Sequence, residues 1–244
     1  MLPPPPDALL AGAALFLDFD GTLVPIAPTP DAVVVDDELR ALLRSLVERL
    51  EGRVALVTGR DLAAIDRFLP GLSLVVAASH GLEQRGVDGI VRRPERPPAL
   101  DRMAAVMTAF ADQHRGVLLE QKPLGAALHY RQAPEHGAAV TALATALAAE
   151  HRLVHQPGKM VAELRLPGID KGGALEAIAA ELPFAGHQPV FLGDDDTDEP
   201  AMAAAARLGG AGILIGPPRP SAARYGLADV AAARAWLARA VAGA

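Results

Sequence analysis

Short apolar runs recur along the chain, separated by stretches with helical spacing. Ala13-Ala14-Leu15-Phe16-Leu17 reads as a buried strand. Residues 36–50 then carry Leu39, Leu42, Leu43, Leu46, Val47 and Leu50 at helical spacing, with acids at the start and Gly52 as the stop. Val54-Ala55-Leu56-Val57 is a second buried strand, 61–69 a helix and 72–77 a third strand. This β-α-β-α-β alternation predicts a parallel sheet. Residues 83–92 read as a hairpin turning at Val87-Asp88-Gly89, and Arg93-Pro94-Glu95-Arg96-Pro97-Pro98 as a linker.

The middle of the chain has a different rhythm. A helix over 99–114, strands near 117–122 and 126–131, a helix over 135–151 and strands at 153–156 and 161–166 make an αββαββ unit. Such a unit forms an antiparallel sheet with helices on one face, leaving the other for a ligand. After Pro167-Gly168 the α/β alternation resumes: helix 171–181, strand 189–192, helix 199–207, strand 212–215 and helix 229–241. The expected fold class is therefore α/β, with residues 1–95 and 168–244 forming one domain and an α+β unit, 96–167, inserted in it.

Composition narrows the chemistry. A content of 51% hydrophobic residues is ample for a core, and no apolar run approaches the roughly 18 residues that span a membrane. The start of the chain lacks the charged and apolar regions of a signal peptide, so a cytoplasmic location is expected, with no membrane partner. The absence of cysteine excludes disulfides, thiolate zinc sites and cysteine nucleophiles. Any metal must then sit on oxygen or imidazole, and the abundant carboxylates point to magnesium. A net charge of -6 argues against a general nucleic-acid grip.

Four clusters lie at strand or helix ends, where an open parallel sheet gathers its ligands. In Asp18-Phe19-Asp20-Gly21-Thr22, two carboxylates separated by one residue leave the first strand in the same direction. Like charges so placed call for a cation or a shared proton. Thr58-Gly59-Arg60 follows the second strand and offers a hydroxyl, amides and a guanidinium to an oxyanion. Lys171-Gly172 opens a helix, a poor place for an ammonium unless an anion lies nearby. Gly193-Asp194-Asp195-Asp196-Thr197-Asp198-Glu199 ends a strand with more acids than helix capping needs.

Together the four clusters suit phosphoryl transfer. Asp18 attacks phosphorus, Asp20 serves as acid and then base, and Thr58 and Lys171 bind the equatorial oxygens. Asp18, Asp20 and Asp194 are the expected metal residues, with Asp195 or Asp198 orienting metal-bound water.

These four strings, in this order, resemble the signatures of the haloacid dehalogenase superfamily. Ser79-His80-Gly81-Leu82-Glu83, Glu120-Gln121-Lys122, Leu128-His129-Tyr130-Arg131 and Gly158-Lys159-Met160-Val161-Ala162-Glu163 further resemble its trehalose-6-phosphate phosphatase family. That resemblance implies a Rossmann-like core with a small cap, Mg2+ dependence, and hydrolysis of trehalose 6-phosphate to trehalose and phosphate. It also admits a trehalose-6-phosphate synthase as a partner. Strand alternation puts Ala162, Leu164 and Leu166 on one face and Glu163 on the other, and it pairs Glu120 with Lys122 and His129 with Arg131.

Under the resemblance, Glu120, Lys122, Lys159 and Glu163 become sugar-binding candidates, joined by Gly59 and Arg60. His129 and Arg131 either join them or simply face solvent, and His80 either touches substrate or caps a turn. Two alternatives stay open: a phosphatase for another sugar phosphate, such as sucrose phosphate or a mannosyl phosphate, and a non-catalytic module that binds trehalose 6-phosphate.

Overall fold

The computed structural model describes residues 2–243. They divide into two compact units: residues 2–26, 33–93 and 169–243 in the first, Ala27–Ala32 and Pro94–Gly168 in the second. The six residues Ala27–Ala32, expected in the first domain, group with the second unit.

In chain order the first unit begins with β1 (Ala14–Leu17), α1 (Asp37–Arg49), β2 (Val54–Val57), α2 (Leu62–Phe68), β3 (Val75–Ala78), β4 (Glu83–Arg85) and β5 (Val91–Arg92). The second unit contributes α3 (Pro98–Gln113), β6 (Leu118–Lys122), β7 (Gly125–His129), α4 (Gly137–His151), β8 (Val154–Gly158) and β9 (Val161–Arg165). The chain then returns through α5 (Lys171–Ala179), β10 (Pro189–Gly193), α6 (Glu199–Arg207), β11 (Ala211–Ile215), β12 (Tyr225–Leu227) and α7 (Val230–Gly243).

The first unit is an α/β fold around one sheet in the order β12-β11-β10-β1-β2-β3-β4-β5. The strands from β12 to β3 are parallel, and β4 and β5 add to the edge antiparallel. Every residue of β1, β2, β3, β10 and β11 is buried, as parallel strands covered on both faces require. That is why these strands read in sequence as unbroken apolar runs. The expected hairpin forms and also extends the core sheet. β12 has no counterpart in the sequence reading, because Tyr225-Gly226-Leu227 is too short to set up a pattern.

Local signals set the helices. The Asp36 side chain caps α1 by accepting from the Leu39 amide at 2.7 Å, and Leu39, Leu43 and Leu46 form its buried stripe. Asp170 caps α5 through the Gly173 amide at 2.9 Å, which makes Lys171 the first residue of that helix. A Cβ on Gly172 would lie 2.6 Å from the Pro200 carbonyl oxygen, so α5 meets the start of α6 at backbone contact there.

The second unit is a four-stranded antiparallel sheet, β6-β7-β9-β8. Leu100, Met103 and Met107 of α3 and Val140, Ala144 and Leu147 of α4 pack with Ala126, Leu128, Ala162 and Leu164 of the sheet. The apolar alternation in β9 therefore faces the helices, and the other sheet face carries the polar set. Among the described residues no helix is long and apolar enough to cross a membrane.

Phe16, Phe184 and Phe191 are fully buried in the first unit, with the Phe16 and Phe184 rings 5.5 Å apart. Replacing Phe191 with alanine should cost about 3–5 kcal/mol by loss of buried area and cavity formation. Trp236, the single tryptophan and fully buried in the same unit, is the reporter. Its fluorescence transition in urea should move to lower concentration in Phe191→Ala.

Candidate active site

The site grows from the strand order. β1 lies between β10 and β2, so the chain leaves β1 on opposite sides of the sheet in its two halves, the switch point where α/β folds bind ligands. Leu17 pairs with Leu192 and with Leu56, and the Asp18 amide donates to the Leu192 carbonyl at 2.9 Å. Asp18, Thr58 and Asp194 thus emerge side by side from three adjacent strands.

Three carboxylates converge there: Asp18, Asp194 and Asp198, each buried, offer oxygens that all lie within 4.8 Å of one another. Lys171 bridges two of them, with Nζ 2.7 Å from Asp18 Oδ1 and 2.6 Å from Asp198 Oδ1. Asp198 is fully buried, and its other oxygen accepts from the Asp194 and Asp195 amides at 2.9 and 3.1 Å. Asp195 accepts from the Thr197 amide at 2.6 Å. Asp198 therefore shapes the acidic turn and anchors the lysine.

The electrostatics follow from this crowding. Burial, with Asp198 and Asp194 nearby, pushes the Asp18 carboxyl well above the usual carboxylate range against the pull of Lys171. Burial alone would lower the Lys171 ammonium, but Asp18 and Asp198 outweigh it and hold the group above its ordinary value. Both directions have one origin, an excess of negative charge in a dry place. Hard oxygen donors carrying such an excess suit a divalent cation. Gly21 leaves room for the cluster, since a Cβ there would fall on the Asp194 carboxylate.

Two of the expected residues are engaged with each other. Asp20 does not join the carboxylate cluster with its side chain; Arg60 grips both its oxygens, Nε to Oδ2 at 2.6 Å and Nη2 to Oδ1 at 2.7 Å. Arg60, expected to meet an oxyanion, has its guanidinium on Asp20 and 4.9 Å from the Phe68 ring centre. Thr58 keeps its place at the end of β2, and its hydroxyl accepts from the Arg60 amide at 3.2 Å. His80 is buried against the same loop: a Cβ on Gly59 would lie 2.7 Å from its Nε2.

The second unit gathers most of its candidates on the sheet face turned away from the helices. Register sets Glu120, Ala127, Glu163 and Gln156 in one row and Lys122, Gly125, Arg165 and Val154 in the next. Small residues on β7 let the charges of β6 and β9 reach across it. Lys122 Nζ lies 2.6 Å from Glu163 Oε2, and His129 Nε2 lies 2.8 Å from Glu120 Oε2.

Burial alone would raise the Glu120 carboxyl, but the His129 hydrogen bond and the Lys122 charge hold it below its ordinary value. Arg131 is engaged with backbone carbonyls. Its guanidinium donates to the Ala27 carbonyl and, at 2.8 Å, to the Lys159 carbonyl, clasping Ala27–Ala32 to the rest of the unit. Lys159 is exposed in the turn between β8 and β9.

The model of the trehalose-phosphatase family matches residues 16–230, which span both units. This chain belongs to the trehalose-phosphatase family. It is 40% identical over 215 residues to a probable trehalose-phosphate phosphatase of Sinorhizobium fredii, covering 87% of this chain and 81% of that protein. It is 39% identical over 232 residues to the trehalose-6-phosphate phosphatase of Escherichia coli, covering 94% and 86%. Among solved structures, a trehalose-6-phosphate phosphatase related protein superimposes with a TM-score of 0.79 at 28% identity, covering 92% and 95%.

Two supports of this family member's site were given no role in the sequence reading. Arg219 donates to the Asp195 carbonyl at 2.8 Å and to Glu199, and Glu199 also accepts from the Ala222 amide at 2.7 Å. A loop after β11 is thereby tied to the acidic turn. Its one signal in sequence is the stiff Pro217-Pro218-Arg219-Pro220 string. Glu83 is the second: it is buried and accepts from the Ser79 hydroxyl at 2.9 Å.

The room beside Asp194 is open to test. Gly21 has a φ of 79°, so Gly21→Ala is strained as well as obstructive. Calorimetric titration of Mg2+ should show affinity reduced at least about tenfold, roughly 1.4 kcal/mol, against the unsubstituted protein.

Proposed function

We propose that this chain is a Mg2+-dependent phosphatase that hydrolyses trehalose 6-phosphate to trehalose and phosphate through an aspartyl-phosphate on Asp18. The observation that carries the reading is the Asp18, Lys171, Asp198 and Asp194 cluster at the switch point of the sheet. Likeness to named trehalose-phosphate phosphatases across both units supports the substrate.

The chemistry divides among the residues by position. A carboxylate oxygen of Asp18 forms a bond to phosphorus as the bond from phosphorus to the sugar oxygen breaks. Asp20 gives that oxygen a proton, which requires it to exchange Arg60 for the leaving group. It then takes a proton from the water that opens the aspartyl-phosphate. Lys171 and Thr58 hold non-bridging phosphate oxygens, and Gly59 lets the loop backbone come close. Asp18 and Asp194 would hold Mg2+, which supplies charge neutralisation between nucleophile and phosphate, with Asp195 and Asp198 shaping the turn.

The sugar is read by Glu120, Lys122 and Glu163, with His129 orienting Glu120 and Lys159 at the rim. The Lys122–Glu163 and His129–Glu120 pairs support this, because they pre-arrange donors and acceptors on an otherwise small-residue surface. His80 is assigned to the phosphate end. The reading also carries the expected cytoplasmic location and a trehalose-6-phosphate synthase as the source of substrate.

Phosphate release from a panel of sugar phosphates is the direct test. Trehalose 6-phosphate should be preferred, with turnover abolished by a chelator and restored by Mg2+; a clear preference for sucrose or mannosyl phosphates overturns the substrate. Asp18→Asn should lower kcat by at least about a thousandfold, as loss of a covalent nucleophile does. Glu163→Gln keeps size but removes the charge that Lys122 meets at 2.6 Å. It should raise KM for trehalose 6-phosphate about tenfold or more, with a smaller effect on a simple aryl phosphate.

A further inference from the structure

β3 ends in an unusual turn. Ser79 and His80 have φ of 50° and 57°, and Gly81 follows at 100°. Glycine tolerates such values, but two side-chain-bearing residues in a row do not adopt them by local preference. Surrounding interactions must impose the shape.

The bonds that impose it run to the phosphate loop. The Ser79 amide donates to the Arg60 carbonyl at 2.7 Å, and the His80 amide to the Thr58 carbonyl at 2.9 Å. The Ser79 hydroxyl turns the other way, to Glu83 Oε2 at 2.9 Å. The same oxygen lies 3.3 Å from the amide of Leu62, the first residue of α2 beyond that loop. Glu83 Oε1 lies 3.4 Å from Nη1 of Arg93, the last residue before the chain passes into the second unit. Glu83 is 1% exposed, and a carboxylate so buried is costly unless it organises its donors.

We propose that Glu83 is a positioning residue for the phosphate-binding loop, holding the left-handed Ser79-His80 turn against Thr58-Gly59-Arg60. Its carboxylate joins the turn on one side of the loop to the helix that begins on the other. The consequence reaches His80, whose ring lies over Gly59 only while the turn keeps its hand. Glu83 touches neither substrate nor metal in this account. The proposal rests on the assignment of Thr58 and Gly59 to phosphate binding.

The test combines kinetics on trehalose 6-phosphate with hydrogen exchange on the substrate-free protein. Glu83→Ala should raise KM and lower kcat/KM about tenfold or more, with the Mg2+ concentration for half activation unchanged. Amides in residues 58–62 and 79–81 should exchange faster, while those in β10 and α5 do not change. Glu83→Gln retains an acceptor oxygen and should recover to within about threefold of wild type. Ser79→Ala should produce a smaller loss, and combining it with Glu83→Ala should add nothing further.

Wild-type KM and unaltered exchange in Glu83→Ala would overturn the proposal, as would a loss confined to the folded fraction with unchanged constants per active molecule. Should Glu83→Ala fail to fold, Ser79→Ala decides: wild-type KM with wild-type exchange in 58–62 sinks the idea. If the wild type releases no phosphate from trehalose 6-phosphate, the substrate reading fails, and the exchange measurements still judge Glu83.

Discussion

One ammonium between two buried carboxylates is the contact on which the site turns. Lys171 joins Asp18 to Asp198 across separate segments of chain, and without it two like charges would face each other in a dry crevice. Removing one partner from such a buried group leaves an uncompensated charge, which is why the lysine sits at a helix start that would otherwise repel it. The upward directions at both Asp18 and Lys171 express the same shortage of positive charge. A divalent cation held by these carboxylates would relieve that shortage.

The fold makes this contact possible by stacking strand ends. β10, β1 and β2 are neighbours in the sheet though β10 comes late in the chain, so Asp194 and Thr58 reach Asp18 from opposite sides. Backbone contact between Gly172 and Pro200 then brings the start of α5 against the start of α6, carrying Lys171 to Asp198. Missing side chains matter as much as present ones. Gly21 clears space for Asp194, and Gly59 lets the His80 ring lie on the loop after β2.

The second unit solves a different problem with the same economy of means. A sheet covered by helices on one face must satisfy polar groups on the other, and here it does so by pairing them. Glu120 with His129 and Glu163 with Lys122 stand over the small residues of β7 as a fixed array of acceptors and donors. Under the proposed function, that array is what meets the sugar.

Periodicity alone carried the architecture: continuous apolar runs mean strands buried on both faces, alternation in β9 means one face, and the change of rhythm near Arg93 and Gly168 marks the inserted unit. The strings at strand ends placed Asp18, Thr58 and Asp194 beside one another, because a residue just past a strand has its place dictated by the strand, and Lys171 was placed by the helix start that Asp170 caps. Pairings were another matter. Arg60 takes Asp20 from 40 residues away, Lys171 takes Asp198 from 27, and Arg131 takes the Ala27 carbonyl from 104. Nothing in local spacing records which charge lies nearest once distant segments pack. A sequence states what each side chain is able to do, whereas only the folded neighbourhood decides which partner it meets.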